Sequence, residues 1–584
     1  MMFASLAQPG GLATADSLWL SAPSIYRPEL PVLVRVEIRQ DDGSVDREVW
    51  DAEVALTATP TGITLSTNRV VLLNGLGSAL VTCSGGGDFS LTATLGELAT
   101  TRTLTNLAGG PTTRVGGTLT GIATSWRGWV QVTNDLTVPA GHTLTIESGT
   151  LVTIDGVTSG TSAPDLIIHG TILCLGTEDQ PVTITCSDGT RRWGQIRHDH
   201  ALPSAYHHTT IMLGGRAPGE GHTGTGPAIR LSGSTVVFER CNVTDHADPS
   251  GMPGKIMQAS DSDITFRDCL LARARMGPEI ARTALWCTNT WIVEMRGPDD
   301  ADGIYIHAQQ PGQVTLLAHC VLAAGDDDGL DTLDSDVTVE ASVIRDWANP
   351  DEDAKGISVF NGSTTVQRSL IANCTDGLAA KSSGSLARVN LGQSTVAGLR
   401  RGVVAAYKDN ATAGNIDFRA TNSIIRAPDA VHSDFGPEKF TLGYCNASTN
   451  WPGIGNFTDE PRFLNPTTNF RLQQDSPCVD AGDPATPLDP DWTRADVGAY
   501  PNFQTPIAPV LSLVGTAPGE PIRFTVGPDL RWASEVQGSA DFRDWATVAP
   551  LPLTNRPVEW RDLNAATSGW RFYRVRMGDA ISPP

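Results

Sequence analysis

The residues with the most chemistry in this 584-residue chain are the aspartates of GPDDADGIYIH and GDDDGLDTLDSD, between Gly297 and Asp336. Asp299, Asp300 and Asp302 make one group. Asp326, Asp327, Asp328, Asp331, Asp334 and Asp336 make another, and the apolar run QVTLLAHCVLAAG separates the two. Carboxylates brought together repel unless they are protonated or bridged by a cation. Several hard oxygens at one point suit calcium. Two acids held about 5 to 9.5 Å apart with no metal would instead suit glycoside hydrolysis, but four crowded acids fit a cation better than a tuned acid and base.

A repeat is what brings the two groups together. An apolar residue, two further residues, a small Cys, Ser or Thr, one residue and an aliphatic recur as FERCNV at Cys241, FRDCLL at Cys269, LAHCVL at Cys320, VEASVI at Ser342, VQRSLI at Ser369 and ATNSII at Ser423, with looser copies at Thr290, Ser394 and Cys445. Spacings of roughly 21 to 30 residues are those of a solenoid whose repeats stack on their neighbours. Apolar residues alternate in short runs within each copy, so the units are strands. The expected architecture is all-β, a right-handed parallel β-helix, and the small residues are expected to form a buried stack.

Each copy also carries a glycine turn before a strand, in DGIYIH at Gly303, DGLDTL at Gly329, KGISVF at Gly356, DGLAAK at Gly377 and RGVVAAY at Gly402. Stacking those glycines puts Asp302, Asp328, Lys355, Asp376 and Arg401 in one column, with neighbours ~4.8 Å apart. Strand alternation sends Ile304, Leu330, Ile357, Leu378 and Val403 inward. Tyr305 and Asp331 face outward, with His307 and Lys381 two places further along their strands. Asp302, Asp327, Asp328 and Asp331 then share one outer face and are the expected metal ligands. Arg401, His307 and Tyr305 are the candidate substrate-binding groups on it.

Asp302 in ADG, Asp327, Asp328 and Asp331 in DDG-x-D one rung later, and a lysine on a following rung resemble the calcium site of the family 9 polysaccharide lyases, which are parallel β-helix enzymes. The resemblance implies calcium on those four aspartates, a bound uronate, and a lysine that removes the proton beside its carboxylate. That family's lysine follows the rung glycine, where this chain has Ser358 and Ala379. The lysines available as catalytic base are Lys381 and Lys355. Of the two, Lys381 should project outward, whereas the flanking Asp328 and Asp376 would make Lys355 a poor base.

The rest of the chain frames this region. With 59 glycines, 38 prolines and 6% aromatics, composition favours turn-rich β structure. A net charge of -22 argues against nucleic acid as a partner and, more mildly, against an acidic polysaccharide unless calcium or local basic groups reverse the field. No apolar stretch is long enough to span a membrane. MMFASLAQPGG lacks the basic and apolar segments of a signal peptide.

After a disordered start at 1–15, residues 16–109 read as an immunoglobulin-like β-sandwich. The β-helix is expected over 113–500, a proline-bearing linker over 501–510, and a small C-terminal β domain over 511–584. Its Trp532, Trp545, Trp560 and Trp570 would either stack on sugars or fill a small core. The flanking modules resemble those of surface proteins from planctomycete and verrucomicrobial bacteria, which implies secretion or surface display.

His198, His200, His207 and His208 lie close together, and a strand would put His198 and His200 on one face as candidate transition-metal ligands, with His222 as a further one. The expected partner is an acidic polysaccharide or cell-surface glycan. The expected activity is a calcium-dependent β-elimination, and the alternative is a non-catalytic, calcium-stiffened surface protein.

Overall fold

The structure, a computed structural model, describes residues 17–28, 30–107, 109–247, 253–297, 300–349, 354–407, 414–491, 493–504, 510–515, 522–527, 534–551, 558–563 and 572–577. The start at 1–15, Asp299, Trp532 and Trp570 lie outside them. Two compact units result, one of residues 1–420, 425–441 and 447–449 and another of 421–424, 442–446 and 450–584.

The first unit opens with two small sheets, ordered Ser17–Ser21, Pro31–Arg39, Leu76–Ser84, Thr64–Leu65 and Ile25–Tyr26, Leu98–Asn106, Phe89–Leu95, Glu53–Thr59, Arg69–Val71. Alternating Val34, Val36 and Ile38 from the first and Val54, Leu56, Phe89 and Leu91 from the second share one core. From Thr113–Thr118 onward the strands pair in parallel with strands one coil away, as a parallel β-helix. One coil contains Ile304–His307, Thr315–Ala318 and Val321–Gly325. These pair in register with Leu330–Leu333, Asp336–Glu340 and Val343–Trp347 of the next coil.

The repeated small residue builds a corner. The residue before it adopts a left-handed φ at each rung, as at Asp268 (55°), His319 (57°), Ala341 (45°) and Arg368 (47°). This single residue turns the chain and leaves the next N–H without a strand partner. That N–H donates instead to the small side chain one rung on: Cys320 N to Ser342 Oγ at 3.0 Å, Ser342 N to Ser369 Oγ at 3.1 Å and Ser369 N to Ser394 Oγ at 3.2 Å. The hydroxyl in turn donates backward, Ser342 Oγ to Glu340 O at 2.8 Å. A buried backbone N–H is thereby satisfied in these coils, which is why Ser, Thr and Cys recur. A second ladder runs along another corner, with Ala201 N on Ser234 Oγ at 3.0 Å and Ser234 N on Ser262 Oγ at 3.1 Å. All ten cysteines are buried and free.

The glycines recur for a different reason. A Cβ on Gly303 would lie 2.3 Å from Gly329 O and 3.0 Å from the Trp347 ring, and one on Gly329 would lie 2.6 Å from Gly356 O. Backbones approach too closely there for any side chain. Trp347, fully buried, floors this stack and donates Nε1–H to Leu322 O at 3.0 Å.

The small sheets are joined to the flank of the coils by buried polar contacts. Arg345, 1% exposed, donates to Asn74 Oδ1 at 2.7 Å and Asp51 Oδ1 at 2.6 Å, and its guanidinium lies 4.3 Å from the Trp50 ring centre. Trp291 donates to Leu73 O at 2.7 Å.

In the second unit the strands Val510–Gly515, Ile522–Gly527 and Val558–Asp562 form one sheet and Ala546–Pro550, Ser534–Ser539 and Phe572–Met577 another. Trp560 and Tyr573 pack against the Val526, Val536 and Leu551 core. These two aromatics are partly buried and contribute to that core.

Candidate cation site

The loops that close one coil and open the next carry the acids. One ligand oxygen from each of Asp302, Asp327 and Asp328 lies within 4.8 Å of the others, and among the described residues this is the one such group of three or more His, Cys, Asp or Glu side chains. The stacked glycines set the spacing. Register pairs Ile304 with Leu330 and Leu330 with Ile357, so Gly303, Gly329 and Gly356 occupy successive rungs. Asp328 N donates to Asp302 Oδ1 at 3.2 Å and Lys355 N to Asp328 Oδ1 at 2.8 Å. Burial, and then the charges of Asp331, Asp328, Asp327 and Asp300, push the Asp302 carboxyl well above the usual carboxylate range.

Asp331 sits in register between Tyr305 and Ser358. Its Oδ1 is buried with no hydrogen-bond partner, and so is the hydroxyl of Ser358, a residue with no exposed surface. Each such unmet group costs about 1–3 kcal/mol. An all-oxygen donor set with two unmet oxygens on adjacent rungs fits a hard cation of the calcium kind. Lys355, 3% exposed, sets Nζ 3.4 Å from Asp328 Oδ1 and supplies some of the missing positive charge.

The basic residues expected at the site are distributed differently. Arg401 is engaged by Asp376, which also takes Arg400 Nε at 2.9 Å and Nη2 at 2.6 Å. Burial raises the Asp376 carboxyl, but hydrogen bonds from Arg401 and Arg400 outweigh it and hold the group low. Lys381 pairs in register with Phe360 and Ala406. Two rungs and two residues separate it from Asp331, about 12 Å between Cα atoms on a regular sheet.

Beside the aspartates lies a second cluster, one coil earlier. Tyr305 is in register with Glu279 and Asp331, and His307 with Ala281 and Leu333. The rings of Tyr305 and His307 stack at 4.9 Å, and His222 approaches Tyr305 at 5.2 Å. Glu279, 2% exposed, takes the buried Lys255 ammonium and, at 3.0 Å on each oxygen, His222 N–H. His222 Nε2 reaches Asp300 Oδ1 at 2.9 Å. Of these, Glu279 and Lys255 escaped the sequence reading. Their signal was a pair of opposite charges inside otherwise apolar strands, GKIMQAS and MGPEIA, one rung apart.

The other histidines do not converge. His198 is fully buried and 2.9 Å from the Tyr206 hydroxyl, and burial pushes it down to about 3. His200 has a left-handed φ of 48°, which breaks the strand alternation, and its side chain is 79% exposed beside Asp199. His207 lies 3.4 Å from Glu239.

The coil register and acid cluster define a parallel β-helix protein with a candidate cation site. No family model matches the chain, and no curated protein does. Among solved structures it is similar to the periplasmic alginate epimerase AlgG at 10% identity and TM-score 0.38, covering 58% of this chain and 78% of that one. It is also similar to an alginate lyase from Paenibacillus sp. str. FPU-7 at 13% identity and TM-score 0.25, covering 55% and 98%. A third likeness, to XylC in complex with xylose, has 8% identity and TM-score 0.24 and covers 73% and 63%. The description of this chain as a parallel β-helix rests on its own strand register. Among the described residues no helix is long and apolar enough to cross a membrane.

Proposed function

We propose that this chain is an extracellular or surface-displayed bacterial protein that binds calcium and uses it to bind or cleave an acidic polysaccharide, by β-elimination where it cleaves. The observation that carries the reading is the convergence of Asp302, Asp327 and Asp328 within 4.8 Å, beside the unmet Asp331 Oδ1 and Ser358 Oγ. Asp302, Asp327, Asp328 and Asp331 would hold the ion. Bound calcium supplies the charge that neutralises a uronate carboxylate and acidifies the ring proton beside it. Tyr305, one rung from Asp331, and His307 would be the substrate-binding groups. Calcium also offsets the objection raised by a net charge of -22, because it is the local field at the site that meets the substrate.

A non-catalytic, calcium-stiffened surface protein is the competing reading, and the engagement of Arg401 by Asp376 and the distance of Lys381 favour it. Thermal unfolding and uronan binding, each with calcium and with chelator, test the proposal. Calcium should raise Tm by mass action on the native state, and Asp328→Asn should abolish most of that rise together with calcium-dependent binding of pectate or alginate. An unchanged Tm in both tests would end the calcium reading.

A further inference from the structure

The sequence directs attention to lysine as the proton acceptor, but the cluster beside the aspartates is built from a part-exposed His307 and from Tyr305 and Glu279, which are only 7% and 2% exposed. Glu279 is fixed from two sides. Lys255, itself bonded to Glu220 O and Gln258 Oε1 at 2.8 Å each, pairs with one oxygen, and His222 N–H donates to both. Its other oxygen lies 3.7 Å from His307 Nε2. His307 Nε2 is buried with no hydrogen-bond partner, and Glu279 is the carboxylate nearest it; a bond formed between them would place the proton on Nε2 and leave Nδ1 as the acceptor. The distance is long for a hydrogen bond, and such contacts tighten when substrate closes a site. His307 keeps a quarter of its side chain exposed and stacks at 4.9 Å on Tyr305, which stands one rung from Asp331.

We infer that His307 is the proton acceptor and Tyr305 the proton donor of a β-elimination on a 4-linked uronate chain, with Glu279 as the residue that positions His307. The inference rests on the acidic-polysaccharide reading above and replaces its lysine. In the step, His307 Nδ1 takes the proton from C5 and the C5–H electrons form the C4=C5 double bond. The C4–O4 bond breaks, and O4 takes the Tyr305 hydroxyl proton. Solvent then returns the proton from His307 to Tyr305, so the balance closes with no further reactant.

The test uses the full chain with calcium and, in parallel, pectate and alginate, following both the absorbance of the unsaturated product and deuterium uptake at C5 in heavy water. His307→Gln and Tyr305→Phe should each lower product formation about 10²- to 10⁴-fold while the calcium-induced rise in Tm persists. His307→Gln should abolish deuterium uptake and Tyr305→Phe should spare it. Glu279→Gln should lower kcat with little change in KM. Because Glu279 also anchors Lys255, its variant is read only alongside an unchanged calcium shift, and the other two variants decide the matter without it. Full activity in His307→Gln with loss in Lys381→Ala overturns the assignment and leaves the lyase standing. Calcium-dependent uronan binding with neither product nor deuterium uptake also overturns it, in favour of a binding protein. Absence of any calcium-dependent uronan binding removes the reading beneath it.

Discussion

The corner ladder and the aspartate column are both stacks of one residue per rung, and they do opposite things. In the ladder each side chain is donor in one direction and acceptor in the other, so Cys320, Ser342, Ser369 and Ser394 satisfy one another's backbone and nothing is left over. In the column the same spacing sets like charges side by side. Asp302 is pushed up by Asp331, Asp328 and Asp327, and oxygens on Asp331 and Ser358 remain unmet. A repeating backbone thus amplifies whatever chemistry it repeats, neutral pairs into rigidity and acids into demand for a cation.

Acid should break the balance most strongly, from the core side. His198 and His246 are buried within the coils and pushed down to about 3 by burial, against a usual value near 6.5. A group lowered in the fold contributes stability above its unfolded value and loses it as pH falls towards its folded value. Stability should therefore decline from about pH 6.5 towards pH 3, by several kcal/mol in all. A Tm measured across that range should fall steeply, and His198→Gln should flatten part of the slope.

Next in size is the glycine stack shared by both regions. Gly329→Ala would place a Cβ 2.6 Å from Gly356 O and 2.9 Å from Trp347 Nε1. Overpacking of this kind costs about 3 kcal/mol, and denaturant titration should show it, with the calcium response weakened because both acid loops end at these glycines. Ser342→Ala acts on the ladder alone. It strands the Cys320 N–H, which now donates to Ser342 Oγ at 3.0 Å, at about 1–3 kcal/mol. Ser342→Thr should recover most of that loss, and the calcium response should be unchanged in both.

The ladder was legible because its cause is local: a residue of left-handed φ, a small side chain and an aliphatic lie within a few residues and recur. The acids were legible for a similar reason, since each precedes a glycine that the repeat fixes. What the repeat does not encode was missed. Alternation gave Lys381 its outward direction, and the register adds that it stands two rungs beyond Asp331. The second ladder at Ser234 and Ser262 went unread although LSGSTVVF and ASDSDITF repeat one pattern of small and apolar residues. Glu279, Lys255 and His222 come together from three segments whose pairing only the fold supplies, as do Arg345 and Asp51. His198 and His200 part because one left-handed residue resets the alternation that would have aligned them.

The smallest expected effect separates the two stacks most cleanly. Asp302→Asn keeps an oxygen for Asp328 N–H, now at 3.2 Å, and removes one of the crowded charges. If the column is a repulsive stack awaiting an ion, the variant in chelator should be more stable than the parent by about 1 kcal/mol, and calcium should stabilise it less than it does the parent. The two changes have opposite signs, so the melting curves of the pair should converge or cross as calcium is added. A uniform destabilisation, in chelator and in calcium alike, would mean that Lys355 and the backbone already neutralise the column and that it belongs with the ladder as structure.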